Sequence, residues 1–239
     1  MLGDYAGHSL KQRMSDQESS FAADVIEAPV DDAAPVPTRK RPKPGERRIQ
    51  ILQTLAAMLE QPGADRITTA ALAAQMSISE AALYRHFASK AQMYEGLIDF
   101  IEQSVFTLAV QITGREVPDP AKTVEQGIAQ AQRVVSMVLQ FGERNPGMVR
   151  VMMGDALQSE HPRLQQRMQQ FFERIETTLR QCLRTVPGAD GSATPTVDAN
   201  VRASVYMSFL IGRLQRFARS DFRKLPTEQI DACLGLMAH

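Results

Sequence analysis

Residues 67–90, ITTAALAAQMSISEAALYRHFASK, are the stretch from which the fold is predicted. They divide into two short helical segments, at about 69–76 and 80–87, joined by the three-residue turn SIS. The second segment follows Ser79, a favoured N-cap residue, and its apolar positions are spaced for burial. This pattern is typical of a helix-turn-helix, whose second helix enters the major groove of DNA. A plain helical hairpin is the alternative.

Charge along the chain favours the helix-turn-helix interpretation. The net charge is +0, but residues 1–38 carry two basic and seven acidic side chains, whereas residues 39–90 carry nine basic and four acidic ones. A basic block that coincides with the two short helices indicates an anionic partner for that block. A basic arm, TRKRPKPGERR, lies within the block and leads into the first helix.

Hydrophobic periodicity outside this region predicts an all-α chain. Residues 1–44 are rich in Ala, Pro and acidic residues, which predicts a disordered tail ending in the basic arm. From residue 46 onward apolar residues recur at steps of three and four. Further helices are expected at about 46–60, 90–112, 120–141, 146–157, 162–186, 197–220 and 227–238. The expected organisation is a tail (1–44), a helix-turn-helix domain (45–90) and a helical domain (91–239).

Composition and motifs exclude several classes of protein. No run of 18 apolar residues is present, and the first 20 residues lack the basic-then-apolar order of a secretory signal. Cys182 and Cys233 both fall in helical patterns, as expected of reduced core thiols in a cytoplasmic protein. Nucleophile-elbow, phosphate-loop, dinucleotide and metal-ligand motifs are missing, so neither an enzyme nor a cofactor is expected.

The segment LYRHFASK (83–90) resembles the end of the DNA-binding domain in the TetR/AcrR repressor family. Similarity continues at GLIDFIEQS (96–104), FGERNPGMVRVMMGDAL (141–157) and QFFERIETTLRQCLR (170–184). These stretches resemble a nucleoid-associated branch of the family that binds specific DNA sites and, while bound, antagonises the tubulin-like division protein FtsZ. The resemblance implies a TetR-like fold, with an N-terminal helix-turn-helix domain and a C-terminal helical dimerisation domain, and a function in nucleoid occlusion.

The candidate DNA contacts are the side chains that remain once the core positions of residues 67–90 are assigned. Tyr84 and His86 can donate to phosphates, Lys90 supplies a positive charge, and hydroxyls at the start of the first short helix suit an anion. The full set is Thr68, Thr69, Ser79, Glu80, Ala81, Tyr84, Arg85, His86 and Lys90. A partner of palindromic double-stranded DNA requires a two-fold protein, and hence a homodimer.

The helix at 197–220 is the candidate dimer interface, because small residues alternate there with large apolar ones. The residues concerned are Val201, Ala203, Ser204, Val205, Ser208, Phe209, Gly212 and Phe217. An ordinary intrachain core is the alternative. Five methionines raise a similar choice between an adaptable core and a small-molecule pocket, and we favour the core. They are Met137, Met148, Met152, Met153 and Met168. A ligand-responsive TetR-type transcriptional repressor therefore remains the alternative function.

The stretch FGERNPG (141–147) has a local explanation and a functional one. Locally, Gly142 ends one helix, Asn145 caps the next and Pro146 occupies its first position. That explanation leaves Phe141 and Arg144 without a role. The resemblance implies that a groove between the helices at 90–112 and 120–141 receives the C-terminal tail of FtsZ. The residues expected at this site are Phe100, Phe141, Arg144 and Asn145.

Overall fold

The computed structural model of the 239-residue chain describes residues 45–64, 66–114, 124–184 and 195–238. The whole of the predicted tail, residues 1–44, lies outside these ranges, as does the predicted start of the helix at 120–141. Every regular element among the described residues is helical, which confirms the all-α prediction. The helices are α1 (Glu46–Leu59), α2 (Thr69–Gln75), α3 (Glu80–Tyr84), α4 (Lys90–Thr113), α5 (Val124–Arg144), α6 (Pro146–Met152), α7 (Pro162–Leu183), α8 (Pro195–Arg219) and α9 (Ile230–Leu236), with a 3-10 helix at Asp155–Leu157.

The turn between α2 and α3 has a defined hydrogen-bond pattern. Ser77 lies in the left-handed region with φ of 53°. Its amide donates to the Ala74 carbonyl, and the Ile78 amide donates to the Ala73 carbonyl, both at 3.0 Å. These two bonds form a Schellman motif, which satisfies the last carbonyls of α2 and reverses the chain. The predicted helix-turn-helix geometry is therefore present.

The recognition segment is shorter than its sequence pattern predicts. The helical pattern extends to Phe87, but α3 ends at Tyr84. The amides of His86 and Phe87 both donate to the Leu83 carbonyl, so the chain tightens and turns after α3. This turn carries the ring of Phe87 into the core, where it is almost fully buried. Burial of Phe87 thus ends the helix one turn early.

A single hydrophobic cluster runs through both halves of the chain, from Ile51 in α1 to Leu234 in α9. Helices α7 and α8 pack along each other, and α5 packs against both of them and against α4. Helix α4 begins directly after the helix-turn-helix and extends into this bundle. The domain boundary predicted near residue 90 therefore falls at the start of a helix that belongs to both halves.

The short helix α6 lies at the centre of the fold, with every residue from 147 to 152 buried. The pattern at 146–157 predicts one continuous helix, but α6 ends at Met152, and Gly154 adopts a left-handed conformation with φ of 84°. Helix α6 packs against α1, α4, α5 and α8. It is therefore the principal contact between the DNA-binding half and the bundle.

Gly147 makes the packing of α1 on α6 possible. A Cβ atom at this position would lie inside van der Waals contact with the Ala56 carbonyl oxygen and 3.2 Å from Leu59 Cβ. Gly142 has a similar role, because a Cβ there would lie 2.7 Å from Leu214 Cδ2. The prediction that Gly142 ends a helix is wrong, since α5 continues to Arg144. Close approach of neighbouring helices, and not chain reversal, favours glycine at both positions, most strictly at Gly147, where the obstructing atom is backbone.

Gly147→Ala should lower the free energy of unfolding by about 2 kcal/mol, because the obstructing atom is backbone and α1 has to move away. Urea unfolding measures this change. Gly235→Ala is the matched control, since a Cβ there meets nothing within 4 Å, and it should be neutral or stabilise α9 slightly. Equal stability of the two variants would contradict the close-approach explanation.

Candidate DNA interface and partner-docking corner

The predicted DNA contacts lie around the exposed sides of α2 and α3. Seven of the nine side chains are exposed, Thr69 and Lys90 are half-buried, and Tyr84 retains 47% of its accessible surface. The exposed set is Thr68, Ser79, Glu80, Ala81, Tyr84, Arg85 and His86. Since Leu83 and Phe87 are buried, α3 turns its apolar side to the core and its polar side outward. The fold therefore leaves these side chains accessible to a partner.

The side-chain hydroxyls of Thr68 and Ser79 cap the N-terminal ends of α2 and α3. The Thr68 hydroxyl accepts a hydrogen bond from the Ala71 amide at 3.1 Å, and the Ser79 hydroxyl accepts one from the Ala82 amide at 3.2 Å. Each hydroxyl uses an acceptor lone pair for capping and keeps its O–H to donate. Capping and donation to a phosphate are therefore compatible at both residues.

A hydrogen bond between Thr69 and Glu80 links the first turns of α2 and α3. The Thr69 hydroxyl donates to the Glu80 carboxylate at 2.6 Å. A carboxylate on a DNA-facing surface opposes phosphates, and this bond occupies one of its oxygens. In this structure, Thr69 and Glu80 hold the two helices at a fixed angle.

Arg48 has a structural role that the sequence pattern does not predict. It belongs to the basic arm expected to contact DNA, yet its Nη1 donates to the His86 carbonyl at 2.9 Å. Its guanidinium carbon also lies 4.0 Å from the centre of the Phe87 ring. Arg48 therefore ties α1 to the turn after α3. The sequence carries no signal for this contact, because the partners are 38 residues apart.

Lys90 is paired within the chain. Its Nζ lies 2.5 Å from the Glu160 carboxylate and 5.6 Å from the centre of the Tyr94 ring. The side chains of Lys90 and Glu160 are 24% and 9% exposed. Burial, with the nearby Glu160 charge, raises the pKa of Tyr94, so its hydroxyl stays neutral at ordinary pH. Lys90, which is predicted to contact a phosphate, thus has an anionic partner inside the protein.

Three further ion pairs join α4 to α7. Together with the Lys90–Glu160 pair they form a row that we call the interdomain seam. Arg163 lies 2.6 Å from Glu95, and Arg167 lies 2.7 Å from Asp99 and 2.5 Å from Glu102. Hydrogen bonds and charge from Glu102 and Asp99 raise the pKa of Arg167. Exposed ion pairs stabilise weakly one by one, so the seam acts as a network that fixes α7 along α4.

The four residues predicted to bind the partner protein meet at one corner of the fold, the docking corner (Phe100, Phe141, Arg144 and Asn145). The rings of Phe100 and Phe141 have centroids 6.1 Å apart and an interplanar angle of 37°. Phe141 is buried and Phe100 is half-buried. Arg144 is exposed at the end of α5 and makes no hydrogen bond or ion pair to the described part of the chain. An apolar edge and an available guanidinium therefore lie within one helical turn.

Asn145 does not cap α6 with its side chain, contrary to the prediction. Its amide Nδ2 instead donates to the Phe141 carbonyl at 2.8 Å, and the residue is only 5% exposed. The same carbonyl also accepts the Asn145 backbone amide at 3.1 Å, so Asn145 bonds twice to the last turn of α5. Asn145 therefore occupies the predicted N-cap position of α6, but its side chain bonds to the end of α5. Its burial makes it a support for the docking corner.

The segment 220–229 packs beside the docking corner and holds its neighbours. The Thr227 hydroxyl donates to the Glu143 carboxylate, and the buried Arg150 of α6 lies 3.3 Å from Asp221. Asp221 and Phe222 both have positive φ, at 47° and 61°. Left-handed backbone at two consecutive non-glycine residues is unfavourable, so side-chain contacts must fix it. This segment is not indicated by the sequence pattern, because its contacts are long-range.

Helix α8 exposes an apolar stripe along one side. Val197, Val201, Val205 and Ile211 are between 37% and 61% exposed. The exposed Ser204, Ser208 and Gly212 lie between them. The prediction is wrong for Ala203 and Phe217, which are buried in the intrachain core, and Phe209 is half-buried. The stripe therefore belongs to the valines, Ile211 and the small residues alone.

The methionines lie in the hydrophobic core, as the favoured prediction requires. Met148, Met152 and Met168 are at most 3% exposed, Met137 is 8% exposed, and Met153 packs against the same cluster. The described residues contain no cluster of three or more His, Cys, Asp or Glu side chains arranged to hold a metal ion. No described helix combines the length and apolarity that crossing a membrane requires.

Comparison with known proteins identifies the family. Residues 51–97 match the model of bacterial regulatory proteins of the tetR family, and residues 125–239 match the SlmA-like C-terminal domain of tetracyclin repressor-like proteins. Nucleoid occlusion factor SlmA from Vibrio cholerae is 47% identical over 193 residues, which is 80% of this chain and 94% of that protein. The chain belongs to the SlmA family.

Other similar proteins agree with this assignment. Nucleoid occlusion factor SlmA from Photobacterium profundum is 48% identical over 190 residues, covering 79% of this chain and 92% of that protein. Among solved structures, the TetR family transcriptional regulator PfmR from Thermus thermophilus superposes with a TM-score of 0.61 at 22% identity, covering 79% of this chain and 97% of that one. That structural similarity supports the TetR-like fold of this SlmA-family chain.

Within the docking corner, Asn145→Ala and Arg144→Ala should differ in stability. Asn145→Ala removes a buried hydrogen bond to the end of α5 and should lower the free energy of unfolding by about 1–2 kcal/mol. Arg144→Ala removes an exposed side chain that no described residue pairs with, and should change the free energy of unfolding by less than about 0.5 kcal/mol. Urea unfolding of both variants measures the difference. A loss at Arg144 as large as that at Asn145 would show that Arg144 is structural.

Proposed function

We propose that this chain is a homodimeric nucleoid occlusion factor that binds palindromic chromosomal DNA and, while bound, docks the C-terminal tail of FtsZ and antagonises FtsZ assembly over the nucleoid. The observation that carries the proposal is the direct packing of α1 on α6 at Gly147. That contact joins an exposed helix-turn-helix to the docking corner. The protein acts by binding alone, without a cofactor or a chemical reaction.

The DNA-facing side chains fall into two groups, one suited to the phosphates and one suited to the base edges. Tyr84, His86 and Arg85 are exposed donors that can contact phosphates from α3 and the turn after it. Ser79, Glu80 and Ala81 form the N-terminal end of α3, the part of a recognition helix that contacts base edges. Thr68 and Thr69 contribute from the start of α2. Sequence preference is therefore assigned to residues 79–81, and affinity to the donors around them.

A second copy of the chain is the partner proposed for α8. The exposed stripe of valines and Ile211 has small residues between its large ones, which allows two helices to approach closely. Burying such a stripe against its two-fold equivalent removes apolar surface from water. The resulting dimer presents two recognition helices to the two halves of a palindrome.

The docking corner suits a short peptide with apolar and anionic or carbonyl groups. The half-buried Phe100 offers an aromatic edge that rests on the buried ring of Phe141, and Arg144 offers donors that no described residue uses. The C-terminal tail of FtsZ is the peptide proposed here. Asn145 holds the end of α5 from which Arg144 projects.

A ligand-responsive repressor is the less favoured function. Its best sequence signal is the set of methionines, and these residues fill the core. The relatives that match most of the chain are also named as nucleoid occlusion factors. The division-control function therefore explains both the docking corner and the similarity.

Tyr84→Ala should weaken binding to a palindromic duplex and to mixed-sequence duplexes alike, by about fivefold to tenfold, because a phosphate contact is lost. Fluorescence anisotropy with labelled DNA measures both affinities. Binding of an FtsZ tail peptide should be unchanged in this variant. A change in sequence preference without a general loss of affinity would assign Tyr84 to the bases.

Arg144→Ala and Phe100→Ala should show the reverse pattern. Each should weaken binding of the FtsZ tail peptide by at least about tenfold, since interface energy concentrates in aromatic and arginine side chains. DNA affinity and dimerisation should remain as in the wild type. Circular dichroism first establishes that Phe100→Ala is folded, because this ring packs on the core. Native peptide affinity in both folded variants would contradict the docking proposal.

A further inference from the structure

Lys90 is both a predicted contact of the DNA backbone and the partner of Glu160 in an ion pair. Lys90 follows the helix-turn-helix directly and is the first residue of α4. Glu160 lies in the turn between the 3-10 helix and α7, 70 residues further along the chain. At 2.5 Å from Nζ, its carboxylate makes the kind of charge-assisted hydrogen bond that a phosphate oxygen would make to Lys90. Both anions have the same charge-assisted geometry, so one ammonium is available to either.

We propose that Glu160 is an internal competitor of the DNA backbone for Lys90, so that the affinity for DNA is set by exchange of one anionic partner for the other. The inference rests on the proposed DNA-binding function and adds a residue that lies outside the helix-turn-helix. Glu160 is a positioning residue, because it acts through Lys90 and is not itself expected to contact DNA.

The surroundings of the pair favour exchange over permanent closure. Lys90 remains 24% exposed, so its ammonium can rotate toward solvent and a phosphate. The cation also lies over the Tyr94 ring, which stays in place whichever anion is bound. Glu160 is only 9% exposed, so it cannot follow Lys90 outward. A phosphate that draws the Lys90 ammonium outward therefore weakens or opens this ion pair.

The rest of the interdomain seam does not depend on this pair. In the Glu95, Asp99 and Glu102 pairs, the cation belongs to α7 and the carboxylate to α4. The Lys90–Glu160 pair has the opposite order, with the cation on the DNA-binding side. Opening it leaves the arginine pairs intact, and so leaves α7 held against α4. DNA binding is therefore able to use Lys90 without separating the two halves of the chain.

Glu160→Gln is the direct test, because it removes the charge and keeps the shape of the side chain. The variant should bind mixed-sequence duplex DNA about three to ten times more tightly than the wild type, since the competing charge is lost. Mixed-sequence DNA is the probe because a phosphate contact is independent of sequence. Glu95→Gln is the matched control: it removes the same charge from the same seam but contacts Arg163, and it should bind DNA as the wild type does.

A double-mutant cycle separates competition from general electrostatics. In a Lys90→Ala background, Glu160→Gln should give no gain in DNA affinity, because the contested cation is missing. Glu160→Asp, which keeps the charge, should remain close to the wild type. Thermal unfolding of each variant establishes that it is folded.

Three results would overturn the inference. They are unchanged or weaker DNA binding by folded Glu160→Gln, an equal gain in Glu95→Gln, and a gain that persists in the Lys90→Ala background. In each of these cases the wild type still binds DNA, so the proposed function survives. A wild-type protein that binds no duplex would overturn the proposed function and the inference together.

Discussion

The contact between Gly147 and the Ala56 carbonyl is the constraint on which the rest of the structure depends. No side chain larger than hydrogen fits between α1 and α6 at this point. The absence of a side chain lets the first helix of the DNA-binding half lie directly on a helix that is buried on every side. Backbone-to-backbone contact of this kind has few ways to adjust, because protein interiors are close-packed. A displacement of α1 must therefore displace α6.

Helix α6 connects that contact to the docking corner. Asn145 immediately precedes the helix and bonds back to Phe141 through both its side chain and its backbone amide, so the end of α5 and the start of α6 are tied together. The interdomain seam adds a second connection through α4, which leaves the helix-turn-helix and packs along α7. Together the two connections hold the recognition helix and the docking corner in one framework.

The sequence predicts elements whose signals are local, and fails where a distant contact decides. Ser79 and the apolar spacing around Leu83 are enough to predict the helix-turn-helix, since caps and periodicity act within one or two turns. At Gly142, by contrast, the local signal is misleading. A glycine near an expected helix end resembles a stop, but here it makes room for Leu214, which is distant in the sequence. The pairing of Lys90 with Glu160 is hidden from the sequence for the same reason.

The candidate site is predictable in part from residue pattern and in part from resemblance. The pattern alone identifies Phe141 and Arg144 as unexplained by helix capping, and the resemblance supplies the partner. The structure brings Phe100 and Phe141 together and gives Asn145 a supporting role in place of the predicted cap. Which residues of the corner contact a peptide, and which only hold it, depends on burial. Burial is a property of the folded chain that local sequence does not report.

We propose that DNA binding and partner docking are coupled through α1 and α6. The most direct measurement is the affinity of the protein for an FtsZ tail peptide, with and without saturating duplex DNA, by isothermal titration calorimetry. Coupled sites change each other's affinity, typically by a factor of about five or more. We expect the peptide to bind the DNA-bound protein more tightly by at least that factor. Equal peptide affinity in the two states, with both ligands shown to bind, would contradict this proposal.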